Sequence, residues 1–122
     1  MRGVTFQYPK WAIEFKPTVE SIKRLKLQSS ANKEEKTFQV KTERSNLVIS
    51  FGNAASHAGS FVFQADVDGI LKHTWKWPVD PVMSVLNLDG EKTMHISDNG
   101  AMKIEVDSGM VVYEYIIPSS NT

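Results

Sequence analysis

The chain has 122 residues, 41% of them hydrophobic and 23% charged, a balance typical of one folded domain rather than of a disordered protein. Its 14 basic residues equal its 14 acidic ones, which argues against a protein that coats nucleic acid with its whole surface. The absence of cysteine excludes disulfides and thiolate chemistry. No apolar run approaches the ~20 residues that span a bilayer, and the start MRGVTFQYPKW lacks the apolar core of a signal peptide. We therefore expect a cytoplasmic protein without membrane contact.

The first half of the chain predicts a strand, a helix and three strands. Residues 11–15 alternate apolar and polar side chains, as a half-buried strand does. Pro17 then opens a helical pattern in which Val19, Ile22 and Leu25 share one face. After the polar run SSANKEEK, strands are predicted at 37–42, 46–51 and 60–65, with a turn at 43–45 and a loop at 52–59.

The second half repeats this order. Residues 73–77 predict a strand, Pro78 and Pro81 open a short helix, and strands follow at 93–97, 101–106 and 110–117. The helical openings PTVESIKRLKL and PVDPVMSVLNL align with their first prolines in register. A repeated supersecondary unit predicts an α+β fold. We expect two tandem β-α-β-β-β repeats, at about 11–66 and 73–117, related by a pseudo-twofold axis, with both helices on one side.

No catalytic or metal-binding pattern stands out. The histidines His57, His73 and His95 lack metal-ligand spacing, and His95 is interpreted as a polar-face strand residue. No glycine-rich loop precedes a helix in the form that cradles phosphate. Asp66 and Asp68 stand in a segment that lacks the remainder of a calcium loop. We therefore predict a protein that is not an enzyme and has no cofactor and no metal.

Charge is distributed unevenly along the chain. Positions 16–36 hold six basic and three acidic residues, whereas positions 89–122 hold six acidic residues and two lysines. The cations Lys23, Arg24 and Lys26 point away from the apolar face of the first predicted helix. Two interpretations remain open from the residues alone: an ordinary solvated helix face, or a surface for a polyanion.

Four segments resemble a DNA polymerase sliding clamp, in the C-terminal domain of the type found in phages with large contractile tails. They are IEFKPTVESIKRLK, KTFQVKTERSNLVISFGN, SFVFQADV and the ending VVYEYIIPS. The last also resembles the final strand and tail of the eukaryotic proliferating-cell clamp. The resemblance covers residues 8–119 and implies a clamp-type domain over 11–118, with its helices on one face of a curved sheet. Residues 1–10 resemble part of an interdomain connector, and 119–122 would form a loose tail.

The resemblance implies a non-enzymatic processivity factor that encircles duplex DNA and tethers a replicative polymerase, after loading by a separate ATP-driven clamp loader. Phage clamp subunits contain two such domains and close as trimers. This chain, with one domain, would be a fragment or would need six copies for a ring. Edge strands at 60–65 and 110–115 would join the copies. The implied DNA-facing residues are Lys23, Arg24, Lys26, Lys33 and Lys36, and the implied partner-peptide groove contains Val48, Phe51, Ile116, Ile117 and Pro118.

Two other functions remain open. One is a non-enzymatic α+β module that binds a protein or ligand, such as a phage structural protein. The other is single-stranded DNA binding, because Trp75-Lys76-Trp77 interleaves aromatic and basic residues as a base-stacking platform does. Residues two apart share one face of a strand, however, so burial of both tryptophans in the core is the simpler interpretation.

Overall fold

The structure is a computed structural model that describes residues 11–51 and 60–120. These residues form an α+β fold of eight strands and two helices. The elements are β1 (Trp11–Phe15), α1 (Val19–Ala31), β2 (Thr37–Glu43), β3 (Asn46–Ser50), β4 (Phe61–Gln64), β5 (Trp75–Pro78), α2 (Val79–Leu86), β6 (Glu91–Ser97), β7 (Ala101–Asp107) and β8 (Val112–Pro118).

The strands form two antiparallel four-stranded sheets, in the orders β1-β6-β7-β8 and β4-β3-β2-β5. Each sheet takes one edge strand from the other half of the chain. Strand β1 pairs with β6, where Phe15 lies opposite Met94, and β5 pairs with β2, where Trp77 lies opposite Phe38. This exchange ties the two halves into one hydrogen-bonded unit.

One hydrophobic core contains side chains from both sheets and both helices. Strand β7 shows the two-residue period most clearly, because Met102, Ile104 and Val106 are buried while the residues between them are partly exposed. Trp77 is completely buried, and its Nε1 donates a hydrogen bond to the Ile117 carbonyl at 3.1 Å. Burial of so large a side chain is a major contribution to the apolar free energy of folding.

The helices pack against each other and against different strands, α1 against β4 and α2 against β5 and β8. Among the described residues, no helix is both long and apolar enough to cross a membrane.

The predicted types and order of the elements are confirmed for the described residues, with ends that shift by one or two positions in most cases. One expectation needs correction. The tail was predicted to be loose from Ser119, but the Ser119 N–H donates to the Gly100 carbonyl and the Ser120 N–H to the Lys76 carbonyl. The predicted connector-like segment 1–10, the loop 52–59 with His57, and residues 121–122 lie outside the described residues.

Candidate nucleic-acid interface

Helix α1 is held to the protein by a narrow face. Thr18 caps its first turn, since the Thr18 hydroxyl accepts a hydrogen bond from the Ser21 N–H at 3.0 Å. Leu25, 1% exposed, is the buried side chain of the helix, and Ile22 is only partly buried against the core. The Ser21 hydroxyl adds a hydrogen bond to the Phe63 carbonyl of β4 at 2.8 Å. Most of the helix surface is therefore left to solvent.

The predicted DNA-facing residues lie on that surface. Lys23, Arg24 and Lys26 are all exposed, and at 100° per residue they are spread across the arc opposite Leu25. Lys33 and Lys36 are exposed just beyond the helix, in a segment that also carries Glu34 and Glu35. Within the described part of the chain, no ion pair engages any of these five cations. Their charges are consequently available to an external anion.

A groove of about 290 Å³ lies beside the contact between the two helices. Lys26 and Lys33 line its α1 side, and Asp80 and Asn87 line its α2 side. The sequence of α2, VDPVMSVL, contains no lysine or arginine. Of the two helices, only the first carries lysine or arginine side chains.

The predicted partner-peptide groove does not form one surface. Phe51, 1% exposed, and Ile117, 7% exposed, belong to the hydrophobic core, as expected if Ile117 completes that core. The neighbours of Val48 on β3 point into the core, whereas the Val48 side chain lies on the other face of that strand. Val48 pairs with Lys41 of β2. The remaining two residues, Ile116 and Pro118, are exposed on β8, in the other sheet.

The β8 region is more exposed than its sequence pattern indicated. Five large apolar side chains there are between 48% and 94% exposed: Met110, Val111, Val112, Tyr113 and Ile116. The available signal was the unbroken run Met110-Val111-Val112, which departs from the alternation of a strand with one covered face.

The two tryptophans of the proposed stacking platform are engaged elsewhere. Trp77 lies in the core, and the Trp75 Nε1 donates to an Asp98 carboxylate oxygen at 2.8 Å. This arrangement confirms core burial for Trp77. It leaves no pair of exposed indole faces at this strand for bases to stack on.

Asp98 joins the β6–β7 turn to the segment before β5. Besides Trp75, its carboxylate accepts the Lys72 N–H at 2.9 Å and lies 3.4 Å from His73 Nδ1. Partial burial by itself would raise the pKa of Asp98, but the hydrogen bonds from Trp75, Lys72 and His73 outweigh it and hold the pKa below its ordinary value of 3.8. Asp98 is therefore a structural anion.

A second polar cluster surrounds His95, which is 6% exposed and thus far more buried than its polar-face interpretation suggested. Its Nε2 lies 2.7 Å from a Glu105 carboxylate oxygen, and its Nδ1 lies 3.3 Å from one of Glu14 without hydrogen-bond geometry. The Trp11 ring packs against the imidazole, and Lys103 lies over that indole. Among the described residues, no group of three or more metal-ligating side chains could hold a metal ion.

Comparison with protein-family models, with curated proteins and with solved structures finds no match for this chain.

Proposed function

We propose that this chain is a sliding-clamp domain, a DNA polymerase processivity factor built from two tandem β-α-β-β-β repeats whose helices face duplex DNA. The observation that carries the proposal is the set of three exposed, unpaired cations on α1, Lys23, Arg24 and Lys26. The lightly anchored helix displays them on its solvent arc, where they can reach phosphate.

The exchange of strands between the two halves supports the repeat. If β1 is equated with β5, and β6, β7 and β8 with β2, β3 and β4, the order of the first sheet becomes that of the second. A chain built from two equivalent units related by a twofold axis has this property. Equivalent units in the two halves are also what the clamp resemblance implies.

In this proposal the chain acts by enclosure and carries out no chemistry. Cations that contact only phosphates hold the duplex without sequence preference, so the protein can move along it. Copies of the domain associate into a ring, a separate ATP-driven loader opens that ring, and the replicative polymerase binds its outer side.

The test compares two variants of equal charge. In the first, Lys23, Arg24 and Lys26 become glutamine; in the matched control, exposed Lys41, Arg44 and Lys72 do. We expect the first variant to bind short duplex DNA more weakly. The slope of log K against log salt concentration should become shallower by about 0.9 for each phosphate contact that is lost, because fewer counterions are released on binding.

The control should keep the slope of the unmodified chain. Equal slopes for the two variants would contradict the assignment of α1 as the DNA-facing surface. Retention on circular but not on linear DNA would separately test enclosure, because a ring slides off a free end.

A protein-binding module is the second candidate function, and the exposed apolar side chains near β8 favour it. Such a module needs neither a ring nor cations that face DNA. Static light scattering separates the two: a clamp of single-domain chains forms a closed species near six copies, whereas a module remains a smaller particle.

A further inference from the structure

The imidazole of His95 lies between two carboxylates, on the opposite face of β6 from the core side chains Met94 and Ile96. An oxygen of Glu14 on β1 lies 3.3 Å from Nδ1, and an oxygen of Glu105 on β7 lies 2.7 Å from Nε2. Strands β1 and β7 are the two neighbours of β6 in the sheet. The ring is therefore placed to connect the edge strand β1 with the interior of the sheet.

A neutral imidazole cannot satisfy both carboxylates. It has one N–H, whereas each of its nitrogens faces a carboxylate, which only accepts hydrogen bonds. The distance of 2.7 Å to Glu105 places the hydrogen on Nε2, which donates. Nδ1 then directs a lone pair towards the Glu14 oxygen and is buried without a hydrogen-bond partner among the described residues. A buried acceptor that has no donor is costly to the folded state.

The donor that would satisfy Nδ1 has to be small. Nδ1 is enclosed, and the centroid of the Trp11 ring lies 5.6 Å from that of the imidazole. A proton from solvent needs no cavity. Its addition to Nδ1 converts the contact between two acceptors into a charged hydrogen bond from His95 to Glu14. The Glu14 side chain is 66% exposed, so it has room to align with this N–H.

We propose that His95 is a proton-dependent switch that fastens the edge strand β1 to its sheet. With a hydrogen on each nitrogen, the ring donates to Glu14 of β1 and to Glu105 of β7; with one hydrogen, it holds Glu105 alone. Imidazoles ordinarily change charge between about pH 5 and 8. Proton uptake in that range tightens the attachment of β1, and proton loss loosens it.

The other charged groups around the ring are arranged to accept this change. Lys103 of β7 lies 3.8 Å from Glu105 and 3.7 Å from Glu114 of β8, and its ammonium group lies over the Trp11 ring. From β1 to β8 the contacts therefore run carboxylate, imidazole, carboxylate, ammonium, carboxylate. Burial of the ring opposes its positive charge, whereas three carboxylates against one ammonium favour it. A charged imidazole makes the signs alternate across all four strands.

The position of β1 gives the switch its consequence. This strand has five residues, pairs with β6 at the edge of the sheet and has a register shift near its start. It contributes Ile13 and Phe15 to the core, and residues 16–18 lead from it into α1. Loss of the Glu14 contact therefore loosens a short edge strand next to the core and to the start of α1. The switch does not depend on the proposed DNA-binding role.

Hydrogen exchange of the β1 amides tests the switch. After correction for the intrinsic effect of pH on exchange, their protection in the unmodified chain should be roughly threefold to tenfold lower at about pH 8 than at about pH 5.5. Glu14→Gln should abolish this difference, because an amide can donate to the bare nitrogen or accept from the protonated one. Glu91→Gln, at another exposed glutamate at the far end of β6, is the matched control and should retain the difference.

Equal protection of β1 at the two pH values in the unmodified chain would overturn the proposal, as would a pH dependence that survives in Glu14→Gln. A second measurement, NMR of the ring nitrogens of His95, needs no variant. At about pH 8 we expect a hydrogen on Nε2 and none on Nδ1, and at about pH 5.5 we expect hydrogens on both. A hydrogen on Nδ1 at the higher pH would contradict the assignment of that atom as the site of proton uptake.

Discussion

Helices α1 and α2 occupy equivalent places in the two halves of the chain, yet they are anchored differently. Helix α1 buries Leu25 alone, whereas α2 buries Val79, Val82, Met83, Val85 and Leu86 within eight residues. In the aligned helical segments, exposed Arg24 corresponds to Val85, which is 8% exposed, and Ser21 to completely buried Val82.

The difference shows that, of two equivalent helices, one can stabilise the core while the other presents charged side chains to solvent. Helix α2 contributes apolar burial to the core and presents few polar side chains. Helix α1 makes the opposite contribution, since a helix with a narrow anchoring face has a wide arc free for charged residues. The two turns that hold the segment before β5 also differ, because the β2–β3 turn uses a main-chain carbonyl and the β6–β7 turn uses a side-chain carboxylate. Three predictions test these contrasts.

The largest effect is expected from exchanging the aligned residues of the two helices. Val85→Arg places a cation without a partner in the core and should lower the free energy of unfolding by about 3–5 kcal/mol. Arg24→Val, at the exposed equivalent, should change it by no more than about 0.5 kcal/mol while weakening duplex binding. Urea denaturation measures both. Ser84→Arg, at an exposed position of α2, is the control and should leave the free energy of unfolding nearly unchanged. A loss below about 1 kcal/mol for Val85→Arg would mean that both helices tolerate a cation at this aligned position.

A smaller, pH-dependent effect is expected at the turns. The β2–β3 turn holds Val67 through the Ser45 carbonyl, whereas the β6–β7 turn holds Lys72 through the Asp98 carboxylate. Because the pKa of Asp98 is lowered in the folded state, its contribution is complete above the ordinary value near 3.8 and is lost as pH falls through the folded-state pKa. Asp98→Asn should lower the free energy of unfolding by about 1–2 kcal/mol at neutral pH.

The difference between Asp98→Asn and the unmodified chain should shrink as the solution is acidified below pH ~4, because protonation removes the same charge from Asp98. Ser45→Ala, which keeps the carbonyl that holds Val67, should show no such dependence on pH. A constant difference for Asp98→Asn across the acid range would show that its charge does not stabilise the turn.

The smallest effect concerns backbone conformation at the β2–β3 turn. Ser45 has φ = 68°, a left-handed conformation that costs a side-chain-bearing residue roughly 1–2 kcal/mol. Ser45→Gly removes this backbone strain, but glycine also has a greater conformational entropy in the unfolded chain. The free energy of unfolding should therefore rise by only about 0.5 kcal/mol. Gly100→Ala, where φ is 86° and a Cβ would lie 2.9 Å from the Trp75 ring, should be destabilising instead. Thermal unfolding compares the two, and a loss of stability for Ser45→Gly would show that the left-handed turn is not strained.

The order of strands and helices could be predicted from the sequence, because each element has its own local signal. Prolines mark the two helix openings, glycine-containing or polar stretches mark several of the turns, and two-residue alternation marks strands such as β7. It also identified Lys23, Arg24 and Lys26 as exposed, since they lie off the stripe of Ile22 and Leu25. Those inferences depend on periodicity within a few residues.

Strand pairing and the covering of apolar residues, by contrast, could not be predicted from the sequence. The pairing of β1 with β6 joins residues about eighty positions apart, and no local pattern specifies that partner. Phe51 and Ile117 were predicted to line a groove but are enclosed by the core, whereas Tyr113 lies at an open edge. A strand's alternation shows that its two faces differ; what covers each face, and whether a neighbour covers its edge, depends on long-range packing.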